Sequence, residues 1–351
     1  MVTSSSPILR SLSHFYSRYK WQRAWRLCAP DCAPGSVKIN GDYPVLSFEF
    51  KTPPGFSTKK IEVLAEKIAL QMSADWFEIN RTKKGWKLLL DMSPEGSYSP
   101  PLPPPFDSEL KVNLGSYADR TRALWDLTLA PHLLIAGATG SGKSSLLRTI
   151  IASLPYGFDW KIFIIDPKEI DFTPVKDLLS VLTLKQTPEL LTFLDDTLEY
   201  RKDVLASQGV SHWLDCEPND FYSMGPILCV IDEAADVFSG VGFSKAEQVI
   251  IKETLSKIAR QGRACGVHLL LSFTRPDVSV IDGATRDQFS GRIALGKTSP
   301  DGARMIFGTA PPALSKNAPG TGLSMALDGD LEIRRINTCF STLDDVKCRW
   351  T

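Results

Sequence analysis

Leu133-Leu134-Ile135-Ala136-Gly137-Ala138-Thr139-Gly140-Ser141-Gly142-Lys143-Ser144-Ser145 is the stretch whose reading decides the fold. Its first four residues form an apolar run that predicts a buried strand. A glycine-rich turn follows, and Ser145-Leu146-Leu147-Arg148-Thr149-Ile150-Ile151 continues at helical spacing. Gly137, Gly142, Lys143 and Ser144 meet the pattern G-x-x-x-x-G-K-[ST] in that strand–loop–helix context. The residue types suit phosphate chemistry. Glycines let the backbone wrap so that the N–H groups of Gly137, Ala138, Thr139, Gly140, Ser141, Gly142, Lys143, Ser144 and Ser145, with the helix N-terminus, face a phosphate. Lys143 would reach the β- and γ-phosphate oxygens of ATP, and the Ser144 hydroxyl would ligate Mg²⁺. A nucleoside triphosphate is the expected ligand.

A second stretch completes the chemistry. Gly225-Pro226-Ile227-Leu228-Cys229-Val230-Ile231 predicts another strand, and it ends in the adjacent acids Asp232 and Glu233. Packing alone explains two acids at a dry strand end poorly, because buried charge is costly. After a phosphate-binding loop, the first acid is expected to order Mg²⁺ through its water shell. The second is expected to polarise the attacking water as general base. This predicts an ATPase that hydrolyses in its own right rather than a GTPase-type switch. Asp166-Pro167-Lys168 closes the strand after the loop's helix and brings an acid and a base to the same sheet edge. Thr274 closes a later strand, where it is either a γ-phosphate sensor or a plain loop threonine. Arg260, Arg263, Arg275, Arg292 and Arg304 all follow Glu233. Ring ATPases commonly complete hydrolysis with an arginine from the neighbouring subunit, and the order of preference here is Arg304, then Arg292.

Around these stretches the chain divides into four. Residues 1–36 open with Arg10, Arg18, Lys20, Arg23 and Arg26 interleaved with Phe15, Tyr16, Tyr19, Trp21 and Trp25, and residues 1–26 hold no acid. Such a segment either docks on a partner, DNA or a membrane complex, or packs on its own protein through its aromatics. Residues 37–92 predict a small α+β domain: a strand at 45–51, a helix capped by Ser57 or Thr58 running to Gln71, and two strands joined at Gly85. Residues 93–106, with Pro100, Pro101, Pro103 and Pro104, read as a semi-rigid linker. Residues 107–351 alternate strands and helices, which predicts an α/β core with a mainly parallel sheet covered by helices on both faces. Its strands are expected at Ile162–Ile165, Ile227–Ile231, His268–Ser272 and Arg292–Leu295, and its helices at Glu189–Ala206 and Ser244–Arg260. A C-terminal hairpin is expected from Gly322–Leu327 and Leu331–Ile336 about an Asp328-Gly329 turn.

Lys+Arg and Asp+Glu balance at 40 each in 351 residues, so bulk charge does not make this a polyanion binder. Any DNA contact must come from local patches. The seven scattered cysteines fit reduced thiols in a cytoplasmic protein. No apolar run approaches the roughly twenty residues of a membrane span, and no secretory signal opens the chain.

Pro131-His132-Leu133-Leu134 with the phosphate loop, Ile165-Asp166-Pro167-Lys168, Val230-Ile231-Asp232-Glu233, Arg263-Ala264-Cys265-Gly266-Val267-His268, Arg275-Pro276 and Arg292-Ile293-Ala294 occur in an order and spacing that resembles the FtsK/SpoIIIE family of DNA translocases across roughly residues 110–327. Residues 45–92 are similar, more weakly, to the α subdomain before the motor. The resemblance implies a RecA-like core, a homo-hexameric ring fuelled by Mg²⁺-ATP, and movement along DNA, duplex rather than single-stranded, through a central pore. Lys245, Arg286 and Lys297 are then candidate pore residues. Two departures stand out: Thr274 replaces the family's usual glutamine, and neither a membrane-spanning N-terminus nor a winged-helix module is recognisable. A compact form is therefore expected, as in plasmid conjugative-transfer or mobile-element ATPases. A replicative helicase of a plasmid or virus on the same core, a protein-secretion ATPase of the same family, and a non-enzymatic assembly factor are the alternatives.

Overall fold

A computed structural model describes residues 24–25, 38–40, 45–51, 57–72, 74, 76–82, 85–91, 102–106, 109–117, 119, 121–217, 224–274, 281, 283–309 and 319–351. The chain divides into two compact units, one comprising Met1–Tyr98, Tyr117–Thr121 and Leu314–Lys316, the other the remainder.

Among its described residues the smaller unit holds an antiparallel sheet with a helix packed on it. Its strands are β1 (Lys38–Asn40), β2 (Val45–Phe50), β3 (Trp76–Thr82) and β4 (Gly85–Asp91), in the order β1-β2-β4-β3. Helix α1 (Thr58–Gln71) begins where the capping signal placed it, and the Ser57 hydroxyl accepts from the Lys60 N–H at 3.4 Å. Its 3.6-residue repeat turns Leu64, Ala65, Ile68 and Ala69 onto Phe48, Phe50, Leu88 and Leu90. Trp25 belongs to the same core: it is fully buried, its ring edge-on to Phe50 at 5.3 Å. At least this aromatic of the basic N-terminal segment packs on its own protein. Residues 1–23 lie outside the described residues, as do most of the linker and Arg275.

The larger unit is built on ten strands: β5 (Lys111–Tyr117), β6 (Arg122–Asp126), β7 (Leu133–Gly137), β8 (Lys161–Ile165), β9 (Ser180–Leu182), β10 (Ile227–Ile231), β11 (Val267–Phe273), β12 (Gly291–Leu295), β13 (Thr321–Met325) and β14 (Arg334–Thr338). Their order is β6-β5-β14-β13-β12-β7-β11-β10-β8-β9. From β12 to β9 every neighbour is parallel, while β13 and β14 pair antiparallel. β7, β10 and β11 are buried along their whole length, because a parallel sheet covered on both faces leaves no wet side. The α-helices among its described residues are α2 (Lys143–Ala152), α3 (Thr187–Gln208), α4 (Ala234–Phe238), α5 (Lys245–Cys265), α6 (Gly283–Asp287), α7 (Pro300–Phe307) and α8 (Leu343–Trp350).

Two features depart from expectation. The C-terminal hairpin has a longer loop than the Asp328-Gly329 pair suggests, since Ser324 pairs with Arg334 and the strand ladder stops there. The Ala326 N–H instead closes a turn onto the Asp330 carbonyl at 2.9 Å, with Gly329 at φ 85° inside it. The chain then adds α8, which fastens the back of α2: the Trp350 indole donates to the Ile151 carbonyl at 3.2 Å and Arg349 to that of Leu154 at 3.1 Å.

Two histidines of the motif-bearing segments are structural braces. His132 Nδ1 accepts from the Leu269 N–H at 3.0 Å, and His268 Nδ1 bonds the Pro131 carbonyl at 2.9 Å. These bonds tie the start of β7 to the start of β11. Burial holds His132 down to about 3 and His268 to about 4, so both are neutral at physiological pH.

Candidate nucleotide-hydrolysing site

The carboxyl ends of β7, β8, β10 and β11 share one sheet edge, the usual place for a ligand in an open parallel sheet. Gly137–Ser144 turns there from β7 into α2, whose N-terminal end carries the positive pole of the helix dipole. The glycines are sterically required. Gly142 has φ 101°, and a Cβ on it would come within 2.7 Å of the Gly320 amide nitrogen. A Cβ on Gly137 would lie 2.7 Å from the Leu295 carbonyl oxygen. Gly320 also donates its N–H to the Ser141 carbonyl at 2.8 Å, so the segment entering β13 braces the loop. Ala138, Thr139 and Gly140 are exposed at the tip, whereas the Ser141 hydroxyl is buried with no hydrogen-bond partner among the described residues.

Lys143 lies back along the loop, its ammonium 2.7 Å from the Gly137 carbonyl and 3.3 Å from that of Ala138. Burial lowers its pKa, opposed by the fields of Glu233 and Asp232. Ser144 donates to Asp171 at 3.3 Å. Ser145 faces the other way, its hydroxyl accepting from the Ser341 N–H at 3.1 Å. Its side chain thus serves the packing of α2 rather than the loop.

Asp232 ends β10 almost fully buried, and burial first, then the neighbouring Asp171 carboxylate, push its pKa up to about 6. Such a carboxylate is short of compensating positive charge. With the Ser144 hydroxyl it offers hard oxygens of the kind that suit Mg²⁺. Glu233 occupies left-handed backbone at φ 69° as the N-cap of α4. For a non-glycine residue this conformation is strained, and such strain gathers at functional sites. Thr274 grips its carboxylate twice, through its N–H at 3.0 Å and through a short bond from its hydroxyl. The Lys168 ammonium stands 3.8 Å away. Thr274 therefore holds the glutamate, a contact that neither sequence reading of this residue foresaw.

Asp166 is an organiser. Its carboxylate accepts from the N–H groups of Lys168 at 3.2 Å, Glu169 at 3.1 Å and Phe172 at 3.0 Å, which folds the loop that presents Lys168 and Asp171. Asp171 itself went unread in the sequence. Its only signal was its position five residues after Asp166, in the loop leaving a strand at the site's edge.

The candidate arginines separate clearly. Arg292 donates to the carbonyls of Phe289 at 2.7 Å, Ile306 at 2.7 Å and Arg286 at 3.3 Å, so in this conformation it braces its own chain and does not reach outward as expected. Arg304 is exposed on α7 and pairs with Asp301 at 2.8 Å. The side chains of Arg260 and Arg263, exposed at the end of α5, form no hydrogen bond or ion pair with a described residue. They line a pocket of about 440 Å³ with Lys202, His212 and Gln261, at the sheet edge opposite the phosphate loop. Lys245 is exposed at the start of α5, Arg286 is half-buried on α6, and Lys297 is exposed just after β12.

Comparison with known proteins agrees with this architecture. Residues 105–278 match the model of the FtsK/SpoIIIE family. That segment is an FtsK/SpoIIIE-family domain. The chain is also 30% identical over 294 residues to the DNA translocase SftA of Bacillus subtilis, an alignment covering 76% of this chain and 30% of SftA. It spans about a third of the length of the curated relatives it matches first. In fold it is similar to the pCW3 conjugation coupling protein TcpA, whose monomer structure was determined with ATPγS, at 20% identity and a TM-score of 0.62 over 93% of this chain and 95% of that one. It is similar also to the cytoplasmic domain of the type VII secretion ATPase EccC of Thermomonospora curvata, at 24% identity and a TM-score of 0.54 over 68% of this chain and 29% of that one. The shared architecture is a P-loop ATPase core. Among the described residues no helix is long and apolar enough to cross a membrane.

Proposed function

We propose that this chain is an ATP-driven motor that moves DNA, duplex in the first instance, through the pore of a homo-hexameric ring during transfer or maintenance of a plasmid or other mobile element. The observation that supports it most is the convergence of Gly137–Ser144, Asp232 and Glu233 on one sheet edge of an FtsK/SpoIIIE-family domain. In this reading the loop N–H groups and the end of α2 receive the β-phosphate. Lys143 leaves the Gly137 and Ala138 carbonyls for the β- and γ-phosphate oxygens. Ser144, and Asp232 through water, would hold Mg²⁺, which neutralises charge on the phosphates. Glu233, positioned by Thr274, takes the proton of the attacking water.

A ring would supply the remaining cation. A trans-acting guanidinium must be free to leave its own chain, which disfavours Arg292, held by three carbonyls, and favours Arg260, Arg263 and Arg304, whose exposed ion pair with Asp301 is easily given up. A ring that sets one subunit's phosphate-loop edge against its neighbour's Arg260–Arg263 pocket would deliver that charge. Lys245, Arg286 and Lys297 remain the candidate contacts to DNA phosphates, and residues 1–26 the candidate docking segment, with Trp25 assigned to the fold.

The test is the ATPase rate with long duplex DNA, single-stranded DNA and no DNA. Stimulation by duplex is expected, and turnover indifferent to both forms of DNA would sink the motor reading. Displacement of a strand from forked but not blunt substrates would favour the replicative helicase. Stimulation by a polypeptide instead of DNA would favour a secretion ATPase.

A further inference from the structure

Ser144 and Arg148 lie one turn apart on α2, so both side chains face the same neighbour. That neighbour is Asp171, delivered from β8 by the loop Asp166 folds. Its Oδ2 accepts from the Ser144 hydroxyl at 3.3 Å, and its Oδ1 from the Arg148 guanidinium at 3.2 Å. Asp171 is half-buried and close enough to Asp232 to disfavour the charged form of that buried carboxylate.

A serine hydroxyl that ligates a cation must offer it a lone pair, so its proton needs another acceptor. Among the described residues the one acceptor of the Ser144 proton is Asp171 Oδ2. At 3.3 Å the bond is at the long end, of a kind that commonly tightens when the ligand arrives. We propose that Asp171 is the positioning carboxylate of the magnesium site: it accepts the hydrogen bond of the Ser144 hydroxyl, so turning the hydroxyl's lone pairs toward the cation, and is itself held in place by Arg148. The proposal rests on the nucleotide reading above. No step of hydrolysis passes through Asp171, which acts through Ser144 and through its charge.

The experiment reads metal binding directly. Mn²⁺ affinity is measured by electron paramagnetic resonance on the full chain with saturating ATPγS, and nucleotide affinity is measured separately in EDTA. Asp171→Asn is expected to weaken Mn²⁺ binding by about 10- to 100-fold, the usual cost of losing a group that orients a metal ligand, without weakening nucleotide binding in EDTA. Asp171→Glu should recover part of the loss. Unchanged Mn²⁺ affinity, or an equal loss in EDTA, overturns the proposal.

Arg148→Gln separates positioning from charge and serves if Asp171→Asn folds poorly. Removing a nearby positive charge would by itself tighten Mn²⁺, whereas releasing Asp171 from its brace should weaken it several-fold. Tighter or unchanged binding overturns the assignment. Because ATPγS and Mn²⁺ binding are read without DNA, failure of the motor reading would show in the DNA-stimulation assay and leave this result standing or falling independently.

Discussion

Replacing Glu233 with Gln should lower the ATPase rate by about 10²- to 10⁴-fold, the range general-base catalysis supplies, while ATP binding stays near its original affinity. The substitution keeps the side chain's shape. The Thr274 N–H that donates to Glu233 Oε1 at 3.0 Å can donate equally to an amide oxygen, so the loop around the left-handed residue 233 has no reason to rearrange. An amide cannot take a proton from water at neutral pH. The defect should therefore fall on kcat and not on nucleotide affinity, read by steady-state turnover beside equilibrium binding of ATPγS. A Glu233→Gln protein that hydrolyses normally would take this residue out of the base role. One that fails to bind nucleotide would show that Glu233 supports the loop instead.

The largest effect on stability should come from a residue remote from the chemistry. Arg201 on α3 is 1% exposed, and its guanidinium donates to the carbonyls of Cys265 at 2.6 Å and Gly225 at 2.7 Å. Burial draws its pKa down to about 10, so it remains charged at neutral pH and its hydrogen bonds are charge-assisted. These carbonyls belong to the segments that lead into β11 and β10, the strands that carry Thr274 and Asp232 at their far ends. Arg201→Ala would leave both carbonyls buried without this partner and open a cavity beneath the sheet. The expected loss is about 2–4 kcal/mol, because buried carbonyls each lose a charge-assisted donor. For a unit of this size that corresponds to a fall of roughly 10 °C in melting temperature. Lys202→Ala, next in the chain but half-buried and paired at the surface with Glu199, should leave the melting temperature nearly unchanged. A thermal melt in which Arg201→Ala matches the parent would show that α3 does not clamp the sheet.

Both effects depend on groups whose legibility in the sequence differed. Glu233 was readable because an apolar strand ending in two acids leaves few alternatives once a phosphate loop is present. Arg201 was not, since in the text of α3 it is one more charged residue on an amphipathic helix. Only the return of the chain through Gly225 and Cys265 puts carbonyls around it. Asp171 was missed for the same reason: its partners Ser144 and Arg148 are more than twenty residues away, and nothing local marks an acid in a loop as facing another element. Arg292 shows the converse. Its place in a late segment suggested an outward role, and the carbonyls of Phe289 and Ile306 turned it inward.

Wherever a local rule governs, the sequence was sufficient. Periodicity and the loop's glycines determined the strand–loop–helix unit, the parallel strands and the cap of α1, because hydrogen bonding and burial within one element fix its pattern over a few residues. The β13–β14 ladder stops at Ser324–Arg334 because cross-strand pairing, not the Asp-Gly turn signal, sets where a hairpin ends. The tertiary structure alone decided how charges find partners: Thr274 on Glu233, Asp171 on Ser144, Arg201 on two carbonyls. A buried charge must be satisfied by whatever the fold brings within about 3 Å, and that neighbour is a property of the packed chain rather than of any stretch of it.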